Sequence, residues 1–335
     1  LLVGLIGGSY PAFFLSRFTP VSVLKAEITQ GAAGSLFRKI LVVIQFTVSV
    51  IMIICTLVVF RQLNYLKTMD QGFDQKNVLG LELNRSMISK YPVLKQKLLE
   101  NPNVIYVGST DTPVGEGSGK LLFDVETDQG MSPRGINFAI VDHDFIEALG
   151  IKMVQGREFQ EDMPSDTLSG VVVNETFVKR MGWSDPIGKR IEAGDENTLR
   201  ARVVGVMQDY HQTGMYNEIE SLLLAYRKNN NNIYIKISED NVEQALTHIE
   251  SCWKEVFPDQ PYGYSFLTER FNGQFEADEK RGLIFTLFTI LAILIACLGL
   301  FGLASYTVEQ RTREIGIRRS EERRVGKEGR SRWLP

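Results

Sequence analysis

Residues Gly115 to Lys120 of this 335-residue chain read GEGSGK. A phosphate-binding loop needs glycines that let backbone amides approach phosphate, then Gly-Lys and a hydroxyl for magnesium. Two positions fail that requirement, since Val114 stands where the first glycine belongs and Leu121 where Ser or Thr belongs. The segment therefore reads as a mobile glycine loop, and no nucleotide or other cofactor is expected. The three histidines, His143, His211 and His248, stand at no metal-ligand spacing with cysteine or with one another, so no metal site is expected either. Asp209, Tyr210 and His211 follow a strand-like run and carry groups suited to acid/base work. No nucleophile or second base accompanies them, and no Gly-x-Ser-x-Gly or His-Glu-x-x-His pattern occurs. A hydrogen-bonded strand end is the reading, and the chain is not expected to be an enzyme.

The elements around these residues are dominated by two uncharged apolar runs, Ile40 to Phe60 and Gly282 to Val308. A helix needs roughly 20 apolar residues to cross a hydrocarbon core of about 30 Å, and each run has that length. Arg17, Lys25, Arg38 and Lys39 precede the first run; Arg311, Arg313, Arg318 and Arg319 follow the second. Basic flanks stay cytoplasmic, which places the middle of the chain outside. Residues 61–308 hold 24 basic and 34 acidic residues, a net charge of −10, an unsuitable face for nucleic acid or anionic lipid. Cys55 and Cys297 lie in the runs and Cys252 stands alone outside, so no disulfide framework is expected. The chain opens without Met in LLVGLIGGSYPAFFLS, which reads as the end of an earlier span and predicts a fragment of a longer protein.

Thr19 as N-cap and Pro20 at the first helical position, with Val21, Leu24 and Ile28 on one face, predict a short helix along the inner membrane surface, the plainer alternative being a solvated linker ending at the GAAGS stretch. In the first span Gln45, Ser49 and Thr56 fall on one stripe, as polar side chains facing another helix do. The second carries Ala292, Ala296, Gly299 and Gly302, which allow close helix approach. Helical patterns extend outward through Leu63, Leu66 and Met69 to Gly72, and inward from Phe271 and Phe275, predicting two unbroken stalks. Between them, Asn77–Leu83, Asn103–Ser109, Leu121–Thr127, Gly170–Val173, Arg200–Val206 and Asn232–Ile237 read as strands. Pro92–Glu100, His143–Leu149, Glu175–Met181 and Val242–Val256 read as helices, with Asn174 and Asp142 as caps. A mixed α+β domain on transmembrane helices follows. The Asn229–Asn232 run reads as a turn.

The stretch EQRTREIGIRR, Glu309 to Arg319, directly follows the second span. It resembles the juxtamembrane motif of FtsX-like and MacB-like permeases of ABC systems, in their long two-halved form. FRKILVVIQFTVSV, GFDQKNVL, ALGIKMVQGREF, VVVNETFVKRMGW, DPIGKRI, VVGVMQDYH and CLGLFGLASYTVEQRTREIGIRR match the same pattern, and GGSYPAFFLSRFTPVSVLK resembles the end of the first half's last span. The likeness runs from residue 1 to about 319 by the order of these motifs.

That resemblance implies a MacB-like periplasmic core domain of two lobes, residues 75–266, with residues 118–220 as the lobe farther from the membrane. It implies stalks at 61–74 and 267–281, transmembrane helices at 40–60 and 282–308, the end of a preceding transmembrane helix at 1–16 and a cytoplasmic amphipathic linker at 17–39. It further implies mechanotransmission: a separate cytoplasmic ABC ATP-binding subunit hydrolyses ATP, and the motion reaches the periplasmic domain for efflux or release of a peptide, drug or lipoprotein. Glu309, Arg311, Arg313, Glu314, Ile315, Gly316, Arg318 and Arg319 would form the ATPase-coupling segment, where the plainer reading is positive-inside anchoring. The other permease half or a homodimer partner would complete the bundle, a periplasmic adaptor or outer-membrane protein is a further partner, and the setting would be the bacterial inner membrane with several passes. The chain departs from the pattern after Arg319; Ser320 to Pro335 resembles translated adaptor sequence and is read as non-native. An FtsX-type regulator of envelope hydrolases is the alternative, and a two-span sensor a lesser one.

Overall fold

The computed structural model describes residues 32–193 and 199–330. The sequence-predicted segment 1–16, the surface helix near Pro20 and the last five residues lie outside the described residues. Two compact units divide the chain, one of Gln62–Glu279 and one of the residues before and after it.

In the flanking unit, α1 (Ala32–Thr68) and α8 (Glu276–Arg330) contain stretches long and apolar enough to cross a membrane, Lys39–Thr68 and Glu276–Glu309. The polar stripe on α1 meets the second helix. Ser49 donates to the carbonyl of Ala292 at 3.2 Å, and the hydroxyls of Thr56 and Thr289 lie 2.9 Å apart. Gly299 leaves room for Gln45, whose Oε1 would lie 2.9 Å from an added Cβ, and Ala296 is buried. Gly302 faces open space, so it is not part of the close approach.

The central unit is α+β, and its first lobe is a four-stranded sheet under two helices. β1 (Val78–Glu82) leads through α2 (Tyr91–Leu98) to β2 (Val104–Thr110). Much later in the chain, β10 (Asn232–Ile237) leads through α6 (Val242–Val256) to β11 (Ser265–Phe266). Their order is β11-β1-β10-β2 with every neighbour antiparallel, two interleaved split βαβ units of the ferredoxin-like kind. The sequence dictates this packing. Tyr91, Leu94 and Leu98 repeat at helical spacing on α2, and Ala245, Ile249, Cys252, Trp253 and Val256 do so on α6. Both stripes bury against Leu79, Leu81, Ile233 and Ile235 of the strands, each large side chain contributing about 1.5–3 kcal/mol.

The second lobe is inserted between β2 and β10. β3 (Lys120–Thr127), β4 (Gly130–Val141), β6 (Gly170–Asn174), β7 (Arg190–Ala193), β8 (Leu199–Met207) and β9 (Leu222–Tyr226) pair in the order β4-β3-β7-β8-β6-β9. β9 pairs back onto β4, so the six strands close into a ring. β5 (Met153–Gly156) adds to β8, while α3 (Phe145–Ala148), α4 (Pro164–Ser169) and α5 (Glu175–Met181) fill the connections. Phe123, Val125, Ile136, Val171, Val173, Ile191 and Val203 form the ring's core, and Phe177 of α5 packs into it.

Two expectations change here. Asp142 does not cap a helix. It is buried at the root of the inserted lobe, where it accepts from the Ser109 amide (2.8 Å), the Tyr91 hydroxyl (2.7 Å) and Lys95 Nζ (2.9 Å); the helix begins after Asp144 instead. Burial raises its carboxyl above the ordinary range despite these donors. The predicted second stalk is also interrupted. α7 (Leu267–Gly273) ends at a tightened turn in which the amides of Gln274 and Phe275 donate to the carbonyls of Phe271 and Asn272, three residues back, before α8 begins; the Gln274 side chain there donates to the carbonyl of Gly115 at 2.9 Å. The Asn229–Asn232 run is a turn leading into β10, held by Asn230 and Asn232 side chains bonded to Ser109, Thr110 and Asp111.

Candidate functional site

Four sequence-distant segments of the central unit meet where α1 ends and α8 begins. Gly72, four residues past α1, has φ +78° and presses on the strand end after β8: an added Cβ would lie 2.1 Å from the carbonyl oxygen of Asp209. The neighbouring backbone is tied as well, with the His211 amide donating to the Gln71 carbonyl at 3.0 Å. Phe73 then inserts between Tyr210, edge-on at 6.1 Å, and Phe271 of α7 at 5.2 Å. Gly115 (φ +91°) lies under the Phe271 ring, 2.8 Å from an added Cβ, and its amide donates to the Gln212 carbonyl. Tyr216 packs on Phe275 and hydrogen-bonds Asp278 at the start of α8; Lys67 near the end of α1 pairs with Glu279.

The hydrogen bonds at this strand end are those of an anchor. Asp209 spends its carboxylate on the amide and hydroxyl of Thr176 (2.9 and 2.7 Å) and on Asn174 Nδ2 (2.7 Å). Asn174 in turn caps α5 by accepting from the Phe177 amide, so the two side chains satisfy the helix's first donors. Burial pushes the Tyr210 hydroxyl far above its ordinary pKa and lowers that of His211, opposed by its backbone hydrogen bond and by Asp209. The Asp209-Tyr210-His211 cluster is thus the hydrogen-bonded strand end that the sequence predicts. The GEGSGK loop, expected to be mobile, is pinned instead: Val114 donates to the Tyr234 hydroxyl at 2.8 Å, and both Gly115 and Gly117 donate to Gln212.

His248 and Cys252, four apart on α6, meet at 3.4 Å, a pairing that the spacing argument passed over. No third His, Cys, Asp or Glu forms a metal-holding group with them among the described residues, and burial raises the Cys252 thiol. The stretch Glu309 to Arg319, expected from its resemblance to be the ATPase-coupling segment, lies on α8, where Glu309 and Arg311 are exposed. Arg313, Glu314, Ile315, Gly316, Arg318 and Arg319 have helical backbones, and their side chains lie outside the described residues. The junction itself was missed by sequence reasoning, although GFD after the first helix and DYH after a strand are the two motifs that meet there.

The fold and junction define an α+β module built on membrane-spanning helices, of the kind carried by ABC transporter permeases. The family model of the MacB-like periplasmic core domain matches residues 69–251, and the chain belongs to that family. It is 26% identical over 191 residues to the macrolide export ATP-binding/permease protein MacB 2 of Aeromonas hydrophila, which covers 53% of this chain and 29% of that protein. The chain thus spans less than a third of that curated relative. Among solved structures, the periplasmic region of MacB from Actinobacillus actinomycetemcomitans is similar at 17% identity, covering 63% of this chain and 97% of that one, with a TM-score of 0.44. The extracellular domain of the noncanonic ABC-type transporter YknZ from Gram-positive bacteria matches at 12% identity, 57% and 98% coverage, and a TM-score of 0.38.

Proposed function

We propose that this chain is the mechanical part of a multi-pass inner-membrane ABC permease. A separate cytoplasmic ATP-binding subunit drives it through Glu309 to Arg319, and the movement serves efflux or release of an envelope substrate of the peptide, drug or lipoprotein class. On this reading residues 40–60 and 282–308 cross the membrane, 61–74 and 267–281 are stalks, 75–266 are the driven domain with 118–220 as its outer lobe, and 320–335 are foreign to the function. The observation that supports it is the junction of Gly72, Phe73, Gly115, Tyr210 and Phe271. There the segment after α1 meets the inserted lobe backbone to backbone at Gly72, and Phe73 and Phe271 of α7, which precedes α8, meet it through their rings, close contacts of the kind a lever requires. Coupling also needs a driven end, and the alternating charges of EQRTREIGIRR beyond the second span suit contact with a cytoplasmic partner.

In the complete permease with its ATP-binding subunit, Glu314→Lys and Arg318→Glu should abolish stimulation of ATP hydrolysis while leaving membrane insertion intact. Undiminished stimulation in both variants would remove the segment from the coupling path.

A further inference from the structure

The inward face of the ring changes character at one end. Cross-strand partners in an antiparallel pair share a face. The pairs Phe123 with Arg134, Val125 with Ser132 and Thr127 with Gly130 therefore lie on the side that holds the ring's apolar core. Phe123 and Val125 are buried on the β3 side, whereas their partners, the exposed Arg134 and half-buried Ser132, make the β4 side of the same face polar, and Thr127 continues it at the β3-β4 turn. Opposite them stands the last turn of α5, with Arg180 and Met181, and between the two is a cleft of about 430 Å³. Mouths of closed strand rings are frequent ligand sites, and this volume suits a small molecule.

Two arginines converge on that cleft inside a region of net charge −10. Neither has an ion-pair partner among the described residues, and Asp128, which also lines the cleft, is paired with neither. Arg180 acts on Glu220 only at a distance, lowering its pKa behind that residue's own partners, Lys120 and Asn137. Several other basic groups of the unit are engaged, as Arg157 is with the buried Asp166, Lys95 with Asp142, and Lys189 and Arg190 with Glu126; what sets Arg134 and Arg180 apart is that both line one cleft. Two guanidiniums without ion-pair partners, each a planar fork of donors, and Ser132 in the lining of the same cleft match a group with three or more anionic oxygens.

We infer that the ring mouth is a binding site for a phosphomonoester group, gripped by Arg134 and Arg180. The group can belong to a soluble metabolite or to a lipid headgroup, and the chemistry of recognition is the same. The test uses the full chain in detergent, titrated calorimetrically with glycerol 3-phosphate, and in parallel assays binding to vesicles of neutral lipid with and without phosphatidic acid. Saturable binding in either arm, weakened at least tenfold by Arg134→Ala and by Arg180→Ala and unaffected by Arg85→Ala on the other lobe, supports the site. The arm that saturates identifies the source. Arg134→Lys and Arg180→Lys should retain part of the affinity, because the charge stays while the fork is lost. Failure of both probes to saturate at millimolar concentration overturns the proposal, as does equal affinity in wild type and both alanine variants. Arg134 and Arg180 are exposed, so the variants are expected to melt with the wild type. The assay involves no ATP hydrolysis and stands apart from the coupling proposal.

Discussion

Replacing Gly72 by alanine tests whether the junction is held by contact or merely by a turn. The position has φ +78°, which costs a residue with a Cβ about 1–2 kcal/mol. The new methyl would also sit 2.1 Å from the Asp209 carbonyl oxygen and 2.8 Å from Tyr210 Cα, both backbone atoms that cannot rotate away. Making room means separating the two segments, which forfeits the His211-to-Gln71 hydrogen bond, about 1 kcal/mol, and adds about 1–3 kcal/mol of overpacking. The expected total is about 3–6 kcal/mol, seen as a fall in melting temperature of roughly 6–24 °C for a unit of this size. Gly182→Ala is the matched control: φ is +70° but nothing lies within 4 Å, so only the conformational cost of about 1–2 kcal/mol remains. Gly119→Ala, with an ordinary φ and open space, should change little. Unfolding of the full chain in detergent, followed by calorimetry, measures the three differences, and amide exchange at His211 reports the lost hydrogen bond. If Gly72→Ala and Gly182→Ala cost the same, or if His211 stays protected in Gly72→Ala, the close approach is not what holds the junction and the reasoning fails.

Two further outcomes follow from the inserted lobe's surroundings. Glu158 is half-buried, and desolvation, then Glu147 and Asp144, raise its pKa from 4.5 to about 7. The folded state therefore holds this proton more tightly than the unfolded state, so its contribution is greatest below pH 4.5 and is lost as the pH rises through about 7. Glu158→Gln should stabilise the protein above pH 7 by about 1 kcal/mol, after discounting for solvent screening, with the gain vanishing toward pH 4.5 in melts across that range. A constant difference at all pH values would contradict it. Lys95→Met removes the cation beside buried Asp142, whose side chain is only 1% exposed, and should cost about 3–5 kcal/mol in denaturant unfolding at pH 7. Restoring most of that loss with a second change, Asp142→Asn, is the signature of an uncompensated charge; no restoration would point to lost packing instead.

Local pattern carried much of the fold. Val242–Val256 was legible to the residue because a five-residue apolar stripe at helical spacing admits one reading. The VVV run of β6 was legible as a strand buried on both faces. What escaped was the closure of the ring. β4 contains Pro133 and two glycines, which argue against a strand, yet Pro133 lies in the β3-β4 ladder opposite Asp124. β9, LLLAY, is a short apolar run without period, and β7 has only four residues. Without β9 and β4 there is no ring, and without the ring the inward-facing Arg134 looks like an ordinary surface charge. The break in the second stalk is not legible either: Phe271 and Phe275 are four apart and both buried, as in a continuous helix, and the Gly115 carbonyl that the Gln274 side chain bonds at the break is some 160 residues away in sequence.

The junction marks the limit of such reading most clearly. A glycine after a helical pattern is legible as its break, as Gly72 is after Leu63, Leu66 and Met69, and the helix ends four residues before it. Gly182 has the same backbone conformation and closes α5 with nothing beside it. Gly72 and Gly115 differ only in what stands against them, the backbone of Asp209 and the ring of Phe271. Each is a glycine for two reasons at once, and only the first is local. A lever needs the second, because a turn transmits nothing unless it bears on another body. Alanine at Gly115 bears the conformational cost of the positive φ, as alanine at Gly182 does, but also fills the contact, and should therefore cost more than alanine at Gly182 to the extent that the Phe271 ring cannot move aside. The size of that excess measures how tightly the helix end grips the lobe.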